Sequence, residues 1–337
     1  MKLFGVLADG QGCGWYRMIT PFAELARRNP DWMLYLDGIM PHSVDGIDVL
    51  VAQRVCLTAP TVTFQQHCRE GRVRTVLELD DDLWQLDPAN RYAIEVYTPD
   101  RLENLRRNVE MADLVTTTTE RLADRLSEIN PNVVVLPNMV PKWLLDHDRP
   151  VTNGLVTIGW AGGPSHARDW GEVNAPLRRV LQHPRYRDRT ELHMIGGPDW
   201  TDRVRSAHAK TRHTGWFPEV PDLYRAIDFD IGIAPLRPSR FNEAKSDIKL
   251  LEYAALGIPA VLSSTGPYAD AHIAGAPSVL VLNDPKTGQP AGWEDALRQL
   301  VDDDGYRERL GKDAREWAAH RTIERNAHLW ESAYTTR

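Results

Sequence analysis

Along the chain, apolar runs of strand length alternate with stretches whose apolar positions recur every three to four residues. Short continuous or alternating apolar runs mark strands, and the 3.6-residue period marks helices laid on a sheet. Regular alternation of the two predicts β-α-β units and a parallel sheet. In the first half, KLFGVLAD, WMLYLDG, IDVLVAQ, VRTVLELDDD, LVTTTT and NVVVLPN read as strands, and WYRMITPFAELARR, DRLENLRRNVEMAD and ERLADRLSEIN as helices. The stretch NMVPKWLLDHDRPVTNG has Pro, Gly and charge but no period, which makes it a linker. The pattern then restarts with LVTIGWAGG, a helix and TELHMIGG, and continues through PDLYRAID, FDIGIAPL, a helix, PAVLSS and SVLVLN. A helical tail follows, with Gly305 and Gly311 as punctuation. The predicted fold is α/β, with two Rossmann-like, doubly wound parallel-sheet domains. Residues 1–140 form the first, 141–153 the linker, 154–318 the second, and 319–337 a C-terminal helix expected to pack back on the first.

Composition sharpens this picture in a few places. A chain of 337 residues, 42% hydrophobic and 26% charged, supplies two ordinary cores and shows no low-complexity tract. Its net charge of −7 disfavours broad attraction to phosphate backbones, so a DNA partner is not favoured. The densest basic group, Arg178, Arg179, Arg185, Arg187 and Arg189, reads as a solvated helix face and loop. Cys13, Cys56 and Cys68 are odd in number and lack a C-x-x-C spacing, which indicates neither a disulfide framework nor a zinc site. No apolar run approaches spanning length and no leader cleavage site is visible, so a cytoplasmic location is expected. The 11 Trp serve either cores or stacking platforms for sugars and bases.

The segment FNEAKSDIKLLEYAALGIP carries the most chemistry. Ser246 suits an N-cap, Asp247 suits the positive end of the helix dipole, and Gly257 with Pro259 is a stop signal. Ile248, Leu251 and Ala255 would cover the core, while Lys245, Lys249 and Glu252 are spaced to share a side. The helix would start at the carboxyl end of a parallel strand, where open α/β sheets bind ligands. Backbone N–H groups and two ammonium groups there suit a diphosphate, and a deeper carboxylate suits the two hydroxyls of a ribose. An exposed i, i+3 ion pair is the bland alternative. Elsewhere, Gly10, Gly12 and Gly14 follow the first strand and Asp37 ends the second, as in a dinucleotide fingerprint, but the third glycine falls where Trp15 stands. A tight strand-to-helix turn explains those glycines equally. Gly162 and Gly163 end the strand of GWAGGPSH, with Ser165 and His166 after them. Asp80, Asp81 and Asp82 sit at another strand end, where they cap a turn or border a pocket. No hydrolytic triad, zinc spacing or P-loop is legible.

FNEAKSDIKLLEYAALGIPAVLSSTGPY resembles the donor-site signature of glycosyltransferases with the two-domain GT-B fold, in particular the retaining, nucleotide-sugar-dependent group related to glycosyltransferase family 4, including bacteriophage-encoded members. LELDDDLW, ADLVTTTTERLADRL, VVVLPNMV, TIGWAGGPSH, HTGWFPEVPDLY and DFDIGIAPL resemble its successive landmarks, in order and in spacing. The resemblance implies transfer of a hexose from a UDP- or GDP-sugar to a hydroxyl acceptor on a glycan, a protein or a modified nucleobase, with retention of configuration. It implies no cofactor beyond the nucleotide-sugar and no metal, because Lys245 and Lys249 would meet the leaving diphosphate. Glu252 would hold ribose, and Ser246, Gly162, Gly163 and His166 would lie along the donor. Trp216 and Phe217 would follow the base, although core packing suits either ring. Gly12, Gly14 and Arg17 would approach donor phosphates or acceptor from the first domain, and Asp80 would border the acceptor. The family also carries a carboxylate eight residues before the position of Glu252; here that place holds Ala244, with Glu243 beside it, so the donor hexose is not read from the resemblance. A nucleotide-sugar 2-epimerase of the same fold, an NAD-dependent oxidoreductase and a non-catalytic sugar-nucleotide binder are the alternatives.

Overall fold

The computed structural model describes residues 1–88, 90–148, 154–206, 208–284 and 290–336. The chain divides into two units, and neither is continuous in sequence. The first comprises Met1–Pro141, Glu243–Ser246 and Thr322–Arg337; the second comprises Lys142–Asn242 and Asp247–Arg321. Residues 149–153 of the expected linker lie outside the described residues.

The first unit is built on β1 (Lys2–Val6), β2 (Met33–Asp37), β3 (Val49–Gln53), β4 (Arg74–Leu79), β5 (Leu114–Thr117) and β6 (Val133–Val135). All pair in parallel, in the order β2-β1-β3-β4-β5-β6. Every residue of β3 is buried, as a strand covered by helices on both faces requires, and at the edge β2 alternates between exposed and half-buried. Helices α1 (Thr20–Arg28), α2 (Thr58–Glu70), α3 (Pro99–Met111) and α4 (Glu120–Ser127) cover the faces. Helix α2 escaped the periodicity reading because its inward face is Thr61, Phe64 and His67, with one strongly apolar residue among three. A left-handed Gly71, φ 61°, ends it. The last helix, His328–Thr335, also belongs to this unit, with Trp330 and Tyr334 in a core cluster with Leu3, Phe22 and Val51.

Helix α1 is preceded by a short turn at Gly12–Gly14 and a wider π-type turn over Trp15–Ile19. Gly14 is required there, because a Cβ would stand 1.7 Å from the Asp9 carbonyl oxygen. The π turn delivers Arg17 into the interior, 1% exposed. Its Nε and Nη2 donate to the two oxygens of Glu78 at 2.7 and 3.2 Å, and Nη2 also reaches the Thr117 carbonyl at 3.3 Å. Nη1 donates to the Leu136 carbonyl at 2.5 Å and to Asn138 Oδ1 at 3.1 Å. All five N–H groups are therefore spent inside the unit, which corrects the expectation that Arg17 contacts a donor or acceptor.

The second unit carries β7 (Val156–Gly162), β8 (Thr190–Gly196), β9 (Thr211–Thr214), β10 (Ile231–Ala234), β11 (Ala260–Ser263) and β12 (Val279–Val281), parallel and in the order β12-β11-β10-β7-β8-β9. Edge strand β9 reads TRHT, too polar to show a strand pattern. Helices α5 (Asn174–Gln182), α6 (Val220–Ala226), α7 (Ile248–Ala255), α8 (Trp293–Asp302) and α9 (Asp304–Ala318) complete it. Gly305 and Gly311 are not punctuation, since both lie inside α9. Gly311 instead permits contact with the turn after α7: a Cβ on it would lie 2.3 Å from the carbonyl oxygen of Gly257, which is itself at φ 67°. Nor does Ser246 cap α7. The cap position is Asp247, and Ser246 falls in the first unit, where its hydroxyl oxygen accepts from Asn138 Nδ2 at 2.9 Å.

Prediction: Arg17→Met strands the Glu78 carboxylate in a site whose burial already raises its pKa. Chemical denaturation should show a loss of about 3–5 kcal/mol, with much of it recovered in Arg17→Met/Glu78→Gln; a loss below about 1 kcal/mol in the single variant would contradict the assignment.

Candidate active site

The second sheet reverses its order between β7 and β10, and their pairing is short. Ile158 faces Ile231 and Gly159 faces Gly232; past that register the ladder stops. Tyr253 of α7 fills the split. Its hydroxyl accepts from the Ala161 amide and donates to the Ile233 carbonyl, both at 3.3 Å, so one side chain bridges the parting strands. Glycine is needed to admit the ring: a Cβ on Gly232 would meet it at 2.6 Å, and one on Gly159 would meet the ring of Phe229 at 1.9 Å. Tyr253 thereby docks α7 at the switch point, the place where open α/β sheets bind ligands.

Two arginines hold the same helix at its ends. Arg321 engages both oxygens of Asp247 at the N-terminal cap, with Nη2 2.9 Å from Oδ1, and Arg315 donates to the Leu256 carbonyl at 2.9 Å at the other end. The helix is buried from Leu250 to Ala255. Glu252, 5% exposed, therefore sits among apolar neighbours, with Lys249 Nζ 3.9 Å from Oε2 and the Tyr224 hydroxyl 3.5 Å from Oε1. Lys249 reaches toward the end of β7, where a Cβ on Gly162 would lie 3.1 Å from Lys249 Cε and 2.6 Å from the Trp160 ring. A Cβ on Gly163 would lie 3.9 Å from the ring of Trp216, which is 50% exposed, and Phe217 beside it is half-buried. The structure thus gathers Gly162, Gly163, Lys249, Glu252 and Trp216, five of the residues predicted from sequence.

His166 follows the same loop, with Nδ1 2.8 Å from Asp169 Oδ2 and its ring edge-on to Trp160. Asp169 was not foreseen. Its Oδ1 accepts from the Arg237 amide and from Asn242 Nδ2, each at 3.0 Å, which ties the loop after β7 to the loop after β10. An Asp three residues past a loop histidine was the available signal, and it is a faint one. Tyr253 gave no signal, since it reads as one more apolar helix position.

The remaining candidates lie in the first unit. Asp80 pairs with Arg54 Nε at 2.5 Å, and Asp81 with Arg54 Nη2 at 3.1 Å and Lys245 Nζ at 3.5 Å. Asp82 pairs with Arg125 at 2.5 Å. Burial works to raise the Asp80 carboxyl, yet Arg54 outweighs it and holds the group below the ordinary carboxylate range. Each acid of the triplet is thus neutralised by a cation, and among the described residues no cluster of His, Cys, Asp and Glu is placed to hold a metal ion. Ala244 is fully buried in this unit's core, where a carboxylate would be desolvated, and Glu243 lies 3.8 Å from Arg125. A Cβ on Gly12 would meet nothing within 4 Å, so no packing requires that glycine. In the basic group of the second unit, Arg185 and Arg189 pair with Asp302 and Arg179 pairs with Glu294. No described helix is long and apolar enough to cross a membrane.

Residues 173–303 match the family model described as glycosyl transferases group 1. A search of curated proteins finds no match. Among solved structures, sucrose-phosphate synthase from Thermosynechococcus elongatus superposes with a TM-score of 0.67 at 15% identity, over 99% of this chain and 98% of that one. Anabaena Alr3699/HepE, in complex with UDP and glucose, gives 0.67 at 13% identity over 98% and 99%. WaaG, a glycosyltransferase involved in lipopolysaccharide biosynthesis, gives 0.64 at 13% over 100% of both chains.

Beneath the glycine loop, Glu172 accepts from Ser263 Oγ at 2.9 Å, and Ser263 in turn accepts from the Leu236 amide at 2.9 Å. Burial pushes the Glu172 carboxyl from the ordinary 4.5 to about 7; the charge of Asp169 pushes the same way, against Ser263 and Arg237. A raised acid pKa means that the folded state binds the extra proton. Its stabilisation is complete below pH 4.5 and is lost as pH rises through about 7. Prediction: between pH 5 and pH 8 this group costs the native state about 1–2 kcal/mol after allowance for solvent screening. Glu172→Gln should flatten that part of the pH–stability curve, and an unaltered slope would remove Glu172 as its source.

Proposed function

We propose that this chain, which has the GT-B fold and matches the group 1 glycosyl transferase model over residues 173–303, transfers a hexose from a UDP-sugar to a hydroxyl acceptor, with the donor on the second unit. The observation that carries this reading is the placing of Lys249 over Gly162, at the split between β7 and β10 and on the same helix as Glu252. The complex of Alr3699/HepE with UDP and glucose supports uracil as the base.

In the proposed reaction the acceptor oxygen forms a bond to the anomeric carbon and loses its proton. The bond from that carbon to the diphosphate oxygen breaks, and its electron pair departs with the nucleoside diphosphate. Positive charge grows on the sugar ring and negative charge on the diphosphate. A fixed cation at the leaving group lowers the barrier, and removing one such contact typically costs about 3 kcal/mol. We assign this role to Lys249. The absence of side chains at Gly162 and Gly163 leaves room for the phosphates, and Asp169 fixes the orientation of His166 beside them. Glu252 accepts from the ribose hydroxyls, and exposed Trp216, with Phe217, takes the base by stacking.

Two features support handling of the leaving group without a metal: the Asp80–Asp82 triplet is matched by Arg54, Lys245 and Arg125, and Lys249 lies beside Gly162 at the loop. Retention of configuration is the outcome expected of the group that the sequence resembles. Lys245, drawn to Asp81, takes the lesser part here.

Prediction: in a thermal-shift panel, UDP and UDP-sugars should raise the melting point more than GDP or ADP counterparts, since saturation at a hundred times Kd contributes about 2.7 kcal/mol. Glu252→Ala should weaken UDP binding about tenfold or more, whereas Lys249→Ala should lower nucleoside diphosphate release about a hundredfold with little change in UDP affinity. Lys245→Ala should have the smaller effect of the two lysines. Unchanged binding and turnover in both the 249 and 252 variants would refute the donor-site assignment.

A further inference from the structure

The first sheet has a switch point of its own, between β1 and β3, and a cavity of about 340 Å³ opens at the carboxyl ends of those strands. That volume lies at the small end of ligand sites. Its walls are mostly apolar, with Val6, Ala8, Met40, Val55, Pro60 and Val96 among them. Among the described residues, no Asp or Glu lines it. Sugar-binding sites need carboxylates and amides to pair with many hydroxyls, so these walls do not suit a polyol.

The polar groups present are donors. Gln53, 2% exposed, accepts from the Ala8 amide through Oε1 at 3.2 Å, which fixes the amide orientation and leaves Nε2 without a partner among the described residues. Arg101 donates from Nη1 to the Val96 carbonyl at 2.6 Å, and no carboxylate pairs with it among the described residues. Arg54 also lines the cavity, but Asp80 and Asp81 match its charge. At φ 49° it is the one non-glycine residue with positive φ among the described residues, a strained conformation of the kind that collects at binding sites. Tyr97, its phenol pushed up to about 12 by burial, is a further O–H donor in the wall.

We infer that this cavity binds a compact apolar molecule with an anionic head, its body against the aliphatic walls and its head toward Arg101, and that this is the chemical class of the hydroxyl acceptor. The second half of the inference rests on the glycosyl-transfer reading; the first does not. A polyanion such as a nucleic-acid backbone would call for several unmatched cations, and the cavity offers one.

The test uses the full chain and calorimetric titration with octanoate, octanol and glucose. Octanoate should bind, octanol should bind several-fold more weakly, and glucose should not bind. Arg101→Met should weaken octanoate about tenfold and leave octanol unchanged. Gly38→Trp, at a lining position where a Cβ meets no atom within 4 Å, should abolish binding of both. The thermal shift with UDP should persist in both variants, which shows that they fold. Failure of octanoate to bind, or binding indifferent to Gly38→Trp, overturns the pocket assignment; a silent nucleotide panel would instead defeat the donor reading and leave the octanoate result to decide the pocket. With a sugar nucleotide that binds, 8-hydroxyoctanoate should gain one hexose, read by mass, as nucleoside diphosphate and a proton are released. A bound but unmodified 8-hydroxyoctanoate overturns the acceptor half alone.

Discussion

The second unit depends on a ladder that stops early. Parallel strands at a topological switch point send their following loops to opposite faces of the sheet, and the backbone groups just past the last shared register lose their partners. Here one phenol supplies what is missing, since it accepts from β7 and donates to β10, and two glycines exist to let rings lie against the strands. The consequence is positional. The helix that brings Lys249 and Glu252 to the crevice is fixed by a hydrogen-bonded side chain in the core, and the arginine contacts at its two ends remove the remaining freedom. A cation on such a helix is held in place before any ligand arrives, which is what the proposed stabilisation of a leaving group requires.

Charge is handled by pairing in both units. The first confines its charges: Arg17 is saturated by Glu78 and by carbonyl groups, and the acids after β4 each face a cation. Isolated buried charges would cost several kcal/mol each, so these groups persist because each has its complement. The second pairs its charges too, Arg321 with Asp247 and Arg212 with Glu191 and Asp228, and sets Lys249 Nζ 3.9 Å from Glu252 Oε2 on the helix at the switch point.

The succession of strands was legible because central parallel strands are buried on both faces and read as continuous apolar runs. Helix α2 and strand β9 were not, because the first buries threonine and histidine and the second is a polar edge. The placing of glycines before and within the second sheet was visible in the sequence, but their purpose was not: Gly159 and Gly232 make way for rings that lie distant in the chain. Likewise the charged residues of 245–252 could be picked out, yet spacing alone suggested that all three share a helix face. The helix starts three residues after Lys245, and that lysine answers to Asp81 instead. Arg17 stood in a glycine-rich loop of promising composition, and only the π turn reveals that it points inward. Asp169 and Tyr253 act through partners far along the chain, which is information that no local pattern holds.

The discontinuity of the first unit has a bearing on how the protein is made. Its core takes in Trp330 and Tyr334, so a nascent chain that has finished all six strands of the first sheet still lacks part of their cover. Until the entire second unit has emerged from the ribosome, apolar surface around Leu3, Phe22 and Val51 stays open to water and to chaperones. The later-synthesised unit is the one equipped to complete itself first, and the earlier one closes only after it.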